Sequence, residues 1–224
     1  MDRLLDLIFP PRCVSCARWG EELCARCRAG LPYLEPPWCS RCGEPAAAGS
    51  ACLRCPDLPS SLDGLRSAGR YEGTLREAIL AFKYQGRSRL GRGLGLLLRE
   101  HLERWPLPLE ALAPVPLHPR AERQRGYNQA GLLAREVAAG GSFRLVERCL
   151  VRQRPTSPQT RLASVEERRR NVAGAFAAHG EDLRGLRLLL VDDVCTTGAT
   201  LGACAAAARA AGAAAVWGLT LARA

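Results

Sequence analysis

The stretch LLLVDDVCTTGAT, residues 188–200, decides the fold. Its apolar start is typical of a strand in a parallel sheet that is covered on both faces. Two carboxylates, Asp192 and Asp193, then lead into a Thr-Thr-Gly-Ala-Thr loop and an alanine-rich helix that stops at Gly212. Backbone N–H groups at such a loop favour a phosphate, and carboxylates accept hydrogen bonds from sugar hydroxyls. The stretch therefore predicts a phosphate-binding turn at the carboxyl end of a strand.

Three other interpretations of this stretch compete with that one. A P-loop would need the pattern Gly-x-x-x-x-Gly-Lys-Ser/Thr, but the only lysine of the sequence is Lys83, in FKYQG. A receiver-type acidic pocket would place its acidic pair after the first strand of the domain, whereas this pair lies near the last. An ordinary strand with solvated carboxylates and a capping threonine would make the whole pattern an accident.

Helices and strands alternate along the rest of the chain after residue 60. Apolar spacing predicts helices at 71–86, 90–103 and 129–139, and residues 161–171 are polar and compatible with a helix. Strands are predicted at 111–117, 143–152, 174–179, 186–194 and 213–222. Strands separated by helices of this length imply an α/β fold with a parallel sheet and helices on both of its sides.

Eight of the eleven cysteines lie in four Cys-x-x-Cys pairs near the start of the chain. Thiols stay reduced in a cytosolic chain, so such pairs indicate metal ligands rather than disulfides. Four thiolates complete a tetrahedral zinc site with no open position, which makes the zinc structural. Sequential and cross-braced groupings both fit the spacing. We predict two zinc sites made of Cys13, Cys16, Cys24, Cys27, Cys39, Cys42, Cys52 and Cys55.

The composition predicts two parts, a zinc module over residues 1–60 and an α/β domain over residues 61–224. The first part carries 7 Arg and 7 acidic residues, while the second carries the whole net charge of +10. A basic domain suits a polyanion, either nucleic acid or a polyphosphorylated small molecule, although an arginine-rich composition can also be a genome-wide habit. Short apolar runs and an acidic N-terminal segment predict no membrane span, no signal peptide and a cytoplasmic location.

Residues 188–200 resemble the signature with which type I phosphoribosyltransferases bind 5-phosphoribosyl-1-pyrophosphate (PRPP). The cysteine pairs, FKYQGR, PVPLHPRAERQRGYNQA, RPTSPQTRLASVEERRRNVAGAF and LTLAR resemble the ComF family (competence protein F). Members of that family join a double zinc ribbon to a phosphoribosyltransferase domain. The resemblance covers nearly the whole chain and implies PRPP with Mg²⁺ as the ligand. It also implies a link to DNA uptake, with single-stranded DNA and DNA-uptake or recombination proteins as partners.

The resemblance also assigns roles to individual residues. Asp192 and Asp193 match the acidic pair that holds the ribose hydroxyls, and they are the catalytic candidates. The loop that cradles the 5-phosphate matches Thr196, Thr197, Gly198, Ala199 and Thr200. Residues 114–118, PVPLH, match the pyrophosphate loop, and residues 153–171 match a mobile loop that closes over the site. Further candidates for the pyrophosphate or the mobile loop are Lys83, Arg123, Arg125, Asn128, Arg154 and Arg168.

Two functional hypotheses remain open. Phosphoribosyl transfer would displace pyrophosphate through an oxocarbenium-like transition state, with Mg²⁺ and arginines stabilising the leaving group. The alternative is a non-catalytic competence factor that binds single-stranded DNA and uses the fold as a scaffold or as a PRPP sensor. Aromatic residues make up only 5% of the sequence, so few side chains are available to stack on bases. No site for the acceptor is recognisable, and His118 draws interest because it borders the predicted pyrophosphate loop.

Overall fold

A five-stranded parallel sheet forms the centre of the computed structural model, which describes residues 10–47, 52–53, 55–141, 143–156, 164–180 and 182–224. Its strands are β1 (Gly64–Arg70), β2 (Ala111–Pro114), β3 (Arg144–Leu145), β6 (Arg187–Cys195) and β7 (Ala215–Arg223). They lie in the order β1-β7-β6-β2-β3, and every neighbouring pair is parallel. A separate antiparallel pair consists of β4 (Leu150–Arg152) and β5 (Phe176–Ala178).

Seven helices accompany these strands in the described residues. They are α1 (Ala25–Ala29), α2 (Gly73–Tyr84), α3 (Leu90–Arg104), α4 (Pro119–Arg125), α5 (Gln129–Ala138), α6 (Val165–Val172) and α7 (Ala199–Ala210). The apolar spacing that predicted α2 places Leu75, Ile79 and Phe82 in the core. Among the described residues, no helix combines the length and the apolar character that crossing a bilayer requires.

Strand β6 is buried on both faces, as its apolar run predicts. Leu188 and Leu190 pack into one hydrophobic cluster, while Leu189 and Val191 pack into the other. Successive side chains of a strand point to opposite faces, so the two clusters mark the two covered faces of the sheet. The prediction of a parallel sheet with helices on both sides is confirmed.

The order of the strands reverses between β2 and β6. The chain goes from β2 outward to β3 at one edge, and later from β6 to β7 in the other direction. Ligands of open α/β sheets bind in the crevice outside the carboxyl ends of the strands at such a reversal. The topology therefore directs attention to the residues that follow Pro114 and to the end of β6.

Two elements near the middle of the chain differ from the sequence expectation. Residues 143–152 do not form one strand, since β3 belongs to the main sheet and β4 to the antiparallel pair. The chain turns between them while Val146 and Cys149 stay fully buried. Helix α4 was not predicted, although Pro119 at its first position and the cap at His118 are ordinary start signals.

Strand β1 was also not predicted, because its sequence, GLRSAGR, has no apolar alternation. Arg66 and Ser67 are nevertheless buried, while Arg70 at the end of the strand is exposed. The Arg66 guanidinium donates to the Ser40 carbonyl at 2.7 Å, and the Ser67 and Thr220 hydroxyls share a hydrogen bond of 2.7 Å. These local partners offset the burial of polar groups, which a hydropathy pattern does not reveal.

Residues 10–47 are held mostly by short turns, with α1 as their one described α-helix. They contact the sheet at β1, where the Leu34 N–H donates to the Ala68 carbonyl at 2.9 Å. Leu58 and Leu62, at the predicted junction of the two parts, are buried in the same cluster as Leu65. The division at residue 60 itself stays a prediction.

Candidate functional site

The acidic pair lies at the carboxyl end of β6, beside the only lysine of the sequence. Asp193 is buried, and its Oδ1 lies 2.7 Å from Nζ of Lys83 at the end of α2. Burial disfavours the charge on Lys83, but the carboxylate of Asp193 outweighs it, so the pKa of Lys83 is raised. A buried carboxylate needs such a partner, because desolvation is costly for an unpaired charge. Lys83 thus joins the acidic pair in one cluster.

Asp192 has a different environment. It accepts a hydrogen bond from the Asp193 N–H at 2.9 Å, and part of its surface lines a small cavity. Protein atoms surround it closely, so burial and the neighbouring charge of Asp193 raise the pKa of Asp192 to about 7, while Lys83 and Arg152 oppose the shift. Asp192 therefore changes its charge near neutral pH.

The loop after β6 forms the N-terminus of α7. Gly198 is the N-cap residue, with a left-handed φ of 73° and no side chain of its own to cap the helix. Such groups, together with the helix dipole, favour an anion. Four of the five predicted phosphate-loop residues line the same cavity as Asp192: Thr196, Gly198, Ala199 and Thr200. Thr197 lines a neighbouring cavity with Gly198, and its hydroxyl accepts from the Ala199 N–H at 3.4 Å.

The Arg-Gly-Tyr-Asn-Gln block at residues 125–129 contacts the end of α2. The Tyr127 hydroxyl and Gln129 Nε2 both donate to the Phe82 carbonyl, the latter at 3.4 Å. Arg125 donates to Gln129 Oε1 at 2.5 Å, and its guanidinium lies over the ring of Tyr84. These contacts fix the residues on either side of Lys83. The sequence identified the block, but its role in positioning Lys83 was missed.

Asn128 attaches the same block to β2. Its amide donates to the carbonyl of Val115, the residue after β2, at 3.1 Å, and its Oδ1 caps α5 by accepting from the Ala130 N–H. Nearby, His118 caps α4 by accepting from the Arg120 N–H at 3.2 Å, while Arg123 is exposed on that helix. Asn128 therefore attaches the block to the end of β2, whereas Arg123 is not brought into the Lys83 cluster by any contact described.

The predicted mobile loop is only partly described. Residues 157–163 lie outside the described residues, so closure over the site stays a prediction. On one side of them, Arg154 donates to the Ala173 carbonyl at 2.7 Å. On the other side α6 begins with a capping box between Ser164 and Glu167, and Arg168 lies part-buried on this helix.

Arg152, at the end of β4, is a site residue that the sequence analysis missed. Its guanidinium donates to the Thr156 hydroxyl, lies 5.4 Å from the ring centre of Phe176, and is close enough to favour ionisation of Asp192. Burial lowers the pKa of Arg152, and nearby groups including Asp192 oppose that shift. Its position at the end of a predicted strand was not enough to distinguish it from the other basic residues, of which the sequence has 32 in all.

The eight predicted metal ligands form two groups of four. Within each group the sulfur atoms all lie within 4.8 Å of one another: the first cluster is Cys13, Cys16, Cys24 and Cys27, and the second cluster is Cys39, Cys42, Cys52 and Cys55. The grouping is sequential, which settles the choice against the cross-braced arrangement. Burial opposes ionisation of Cys13 and Cys39, but hydrogen bonds from neighbouring backbone N–H groups and cysteine side chains outweigh it and lower the pKa of each thiol to about 6. Thiolates at this spacing fit tetrahedral zinc.

Comparison with known proteins agrees with both parts of this description. Residues 4–56 match the model of the double zinc ribbon domain. Competence protein F of Haemophilus influenzae is 32% identical over 210 residues, which cover 86% of this chain and 88% of that protein. The chain belongs to the ComF family. ComF relatives also include the DNA utilization protein YhgH of Salmonella typhi, 32% identical over 87% of this chain and 89% of that protein.

Another ComF relative and two solved structures extend the comparison. Competence protein ComFC of Bacillus subtilis is 27% identical over 81% of this chain and 75% of its own length. Among solved structures, the UMP synthase of Leishmania donovani matches 63% of this chain and 22% of its own, with 15% identity and a TM-score of 0.34. A hypoxanthine phosphoribosyltransferase of Staphylococcus aureus matches 61% of this chain and 62% of its own, with 12% identity and a TM-score of 0.32.

Proposed function

We propose that this ComF protein binds PRPP with Mg²⁺ in the crevice between the carboxyl ends of β2 and β6. The observation that carries the proposal is the cluster of Lys83, Asp193 and Asp192, which is followed directly by the glycine-capped N-terminus of α7 at the reversal point of the sheet. Carboxylates beside a phosphate-binding turn fit a ligand that has both sugar hydroxyls and a phosphate.

Each part of the ligand has a matching part of the crevice. The loop of residues 196–200 suits the 5-phosphate, and Asp192, which lines the same cavity, suits the ribose hydroxyls. The residues after β2, which Asn128 holds through the Val115 carbonyl, would meet the pyrophosphate. Mg²⁺, when bound with PRPP, would neutralise charge on the pyrophosphate. Asp193 is already neutralised by Lys83, so Asp192 is the carboxylate left to respond to the ligand.

The proposed reaction is transfer of the phosphoribosyl group to a nucleophile. The bond between the anomeric carbon and the pyrophosphate oxygen breaks, the electron pair leaves with pyrophosphate, and the nucleophile forms the new bond to the carbon. Positive charge that develops on the ribose is stabilised by the carboxylate of Asp192, and Arg152 adds positive potential around the departing anion. The residues of the predicted mobile loop would exclude water, which competes as a nucleophile.

We further propose a cytoplasmic role in the uptake or use of DNA. The names of relatives support this part, since they are a competence protein and a DNA utilization protein. The net charge of +10 also favours contact with phosphate backbones. The second candidate function, non-catalytic binding of single-stranded DNA, rests on the same two observations.

Calorimetric titration of the zinc-loaded protein with PRPP and Mg²⁺ tests the proposed site. Wild-type protein should bind saturably, and Asp192→Asn and Thr197→Ala should each weaken binding at least about tenfold through lost hydrogen bonds. Asp182→Asn is the matched control, because Asp182 is exposed and its partner among the described residues is the neighbouring Arg184. Absence of binding by folded wild-type protein would overturn the PRPP site. Saturable binding of PRPP without pyrophosphate release in the presence of single-stranded DNA or nucleobases would favour the sensor function.

A further inference from the structure

The second zinc cluster is connected to the phosphate loop by a very short segment. Its last ligand, Cys55, begins a 3-10 turn that ends at Asp57, and the Leu58 N–H donates back to the Cys55 carbonyl at 3.1 Å. Pro59 follows at once and packs against the phosphate loop and the first turns of α7. A Cβ atom added to Gly202 would lie 2.5 Å from Pro59 Cγ, so no larger residue fits there without movement.

Neighbouring contacts hold this segment, residues 55–61, in place on the loop. The Ser61 hydroxyl donates to the Gly202 carbonyl at 2.8 Å. Leu58 is buried, and it lines one cavity together with Thr196 and Thr197. From the other side, Arg169 of α6 donates to the Asp57 carbonyl at 2.9 Å. The segment therefore covers one side of the loop that is proposed to hold the 5-phosphate.

The last strand makes a second connection between the same two places. Arg223 of β7 donates to the carbonyl of the zinc ligand Cys42 at 2.7 Å and pairs with Glu44, also at 2.7 Å. The next residue, Ala224, donates its N–H to the carbonyl of Cys195, the residue before the phosphate loop, at 2.9 Å. Two independent paths thus run from ligands of the second cluster to the two ends of the loop.

The first cluster lacks such paths in the part of the chain that the structure describes. Its contacts go instead to α2, α3 and the turn between them, through Ser15 with Thr74, Glu22 with Arg87, and Arg28 with Glu100. Two clusters with the same ligands therefore have different neighbours. Loss of zinc from the first cluster is therefore a matched control for the effect of zinc in the second cluster on the phosphate loop.

We propose that the second zinc cluster is a positioning element for the phosphate loop, so that its zinc and the ligand of the loop bind cooperatively. Without zinc, the turn at Cys55 loses its anchor, and Pro59 and Arg223 no longer fix residues 195–202. The part that concerns PRPP rests on the proposed function. Coupling of this kind is reciprocal. If zinc in the second cluster raises the affinity for PRPP about tenfold, bound PRPP should raise the affinity of that cluster for zinc by the same factor.

Hydrogen exchange of the full chain tests the connection without any ligand. Cys55→Ser removes the last ligand of the second cluster, and Cys27→Ser removes the equivalent ligand of the first. Amide exchange of residues 195–202 should accelerate about tenfold or more in Cys55→Ser and stay unchanged in Cys27→Ser. Pro59→Gly, with all cysteines intact, should give the same local change, whereas exposed Pro108→Gly should not. Equal exchange in both cysteine variants, or an unaltered loop in Pro59→Gly, would overturn the proposal.

Binding and zinc release test the ligand part separately. PRPP affinity measured by calorimetry should fall about tenfold in Cys55→Ser and Pro59→Gly but not in Cys27→Ser or Pro108→Gly. PRPP should also slow the release of one of two zinc ions to a colorimetric chelator. If wild-type protein binds no PRPP while exchange behaves as expected, the proposed function fails and the positioning role survives. If PRPP binds equally to all variants, the cooperative part is wrong.

Discussion

The zinc clusters and the acidic cluster both bring anionic groups together, but they neutralise them differently. Each zinc cluster gathers four thiols within 4.8 Å, and metal from outside the chain must supply the positive charge. At the end of β6, the positive charge is Lys83, which the chain itself carries to within 2.7 Å of Asp193. The ribbon should therefore depend on metal for its fold, whereas the acidic site is formed before any ligand arrives.

The largest expected effect comes from removing zinc. Chelation should remove hydrogen-exchange protection from residues 10–47, because metal binding supplies roughly 10 kcal/mol or more of the folding free energy of such modules. The buried strand β6 should keep its protection at residues 188–191, since its core consists of apolar side chains. Loss of protection in residues 10–47 and in residues 188–191 together would contradict the distinction, because the sheet would then also require metal.

The next largest effect is expected for Lys83→Met, which removes the internal positive charge. The change leaves Asp193 buried without its partner and should lower the free energy of unfolding by about 3–5 kcal/mol. Urea denaturation of the zinc-loaded protein measures it. Arg187→Met is the control, since its pair with Glu110 is exposed and screened by solvent, so its loss should change the free energy of unfolding much less. A loss as small as that of the control would show that Lys83 does not stabilise the site.

The contact between the two regions can be strained directly with Gly202→Ala. The added methyl would meet Pro59, and overpacking of this kind costs about 1–3 kcal/mol. Thermal or urea unfolding measures the loss. Gly93→Ala in α3 is the control, because its Cβ would meet no atom within 4 Å and alanine favours a helix. Equal stability of Gly202→Ala and wild type would mean that Pro59 does not press on α7.

The smallest effect concerns pH, and comparing wild type with Asp192→Asn isolates the part that the acidic site contributes between pH 6 and 8. The pKa of Asp192 is raised to about 7 in the folded protein, above the value of about 3.9 for an unfolded chain. The native state therefore holds a proton that the unfolded state has lost, and stability falls as pH rises through 7. Asp192→Asn should remove this part of the slope. The free energy of unfolding is measured by urea titration of both proteins at pH 6, 7 and 8. Equal dependence on pH in wild type and Asp192→Asn would contradict the raised pKa of Asp192.

The sequence predicted structure best where the residues of one structural unit are consecutive in the chain. Residues 188–200 encode strand, turn and helix start consecutively, and each Cys-x-x-Cys pair places two ligands by itself. The positions of both sites in the chain follow from such local patterns. Sequence alone left the grouping of the cysteines open, because it depends on how the pairs pack together.

Features that arise from distant contacts could not be predicted. The polar sequence of strand β1 did not predict a buried strand, because the hydrogen-bond partner of Arg66 is the carbonyl of Ser40, 26 positions earlier in the chain. No local pattern distinguishes Arg152 from the other arginines, because it is the antiparallel pairing of β4 with β5 that brings it near Asp192. The Tyr127 side chain was visible as part of a family block, but its bond to the Phe82 carbonyl spans 45 positions.

The pairing of Lys83 with Asp193 has a practical consequence for chemical labelling. Lys83 is the only lysine in the 224-residue sequence, so it carries the only side-chain amine. With 19% of its side chain exposed and its ammonium form stabilised by Asp193, it should react slowly with amine-specific esters. A mass spectrum of labelled peptides would then report directly on the opening of the acidic site, free of background from other lysines.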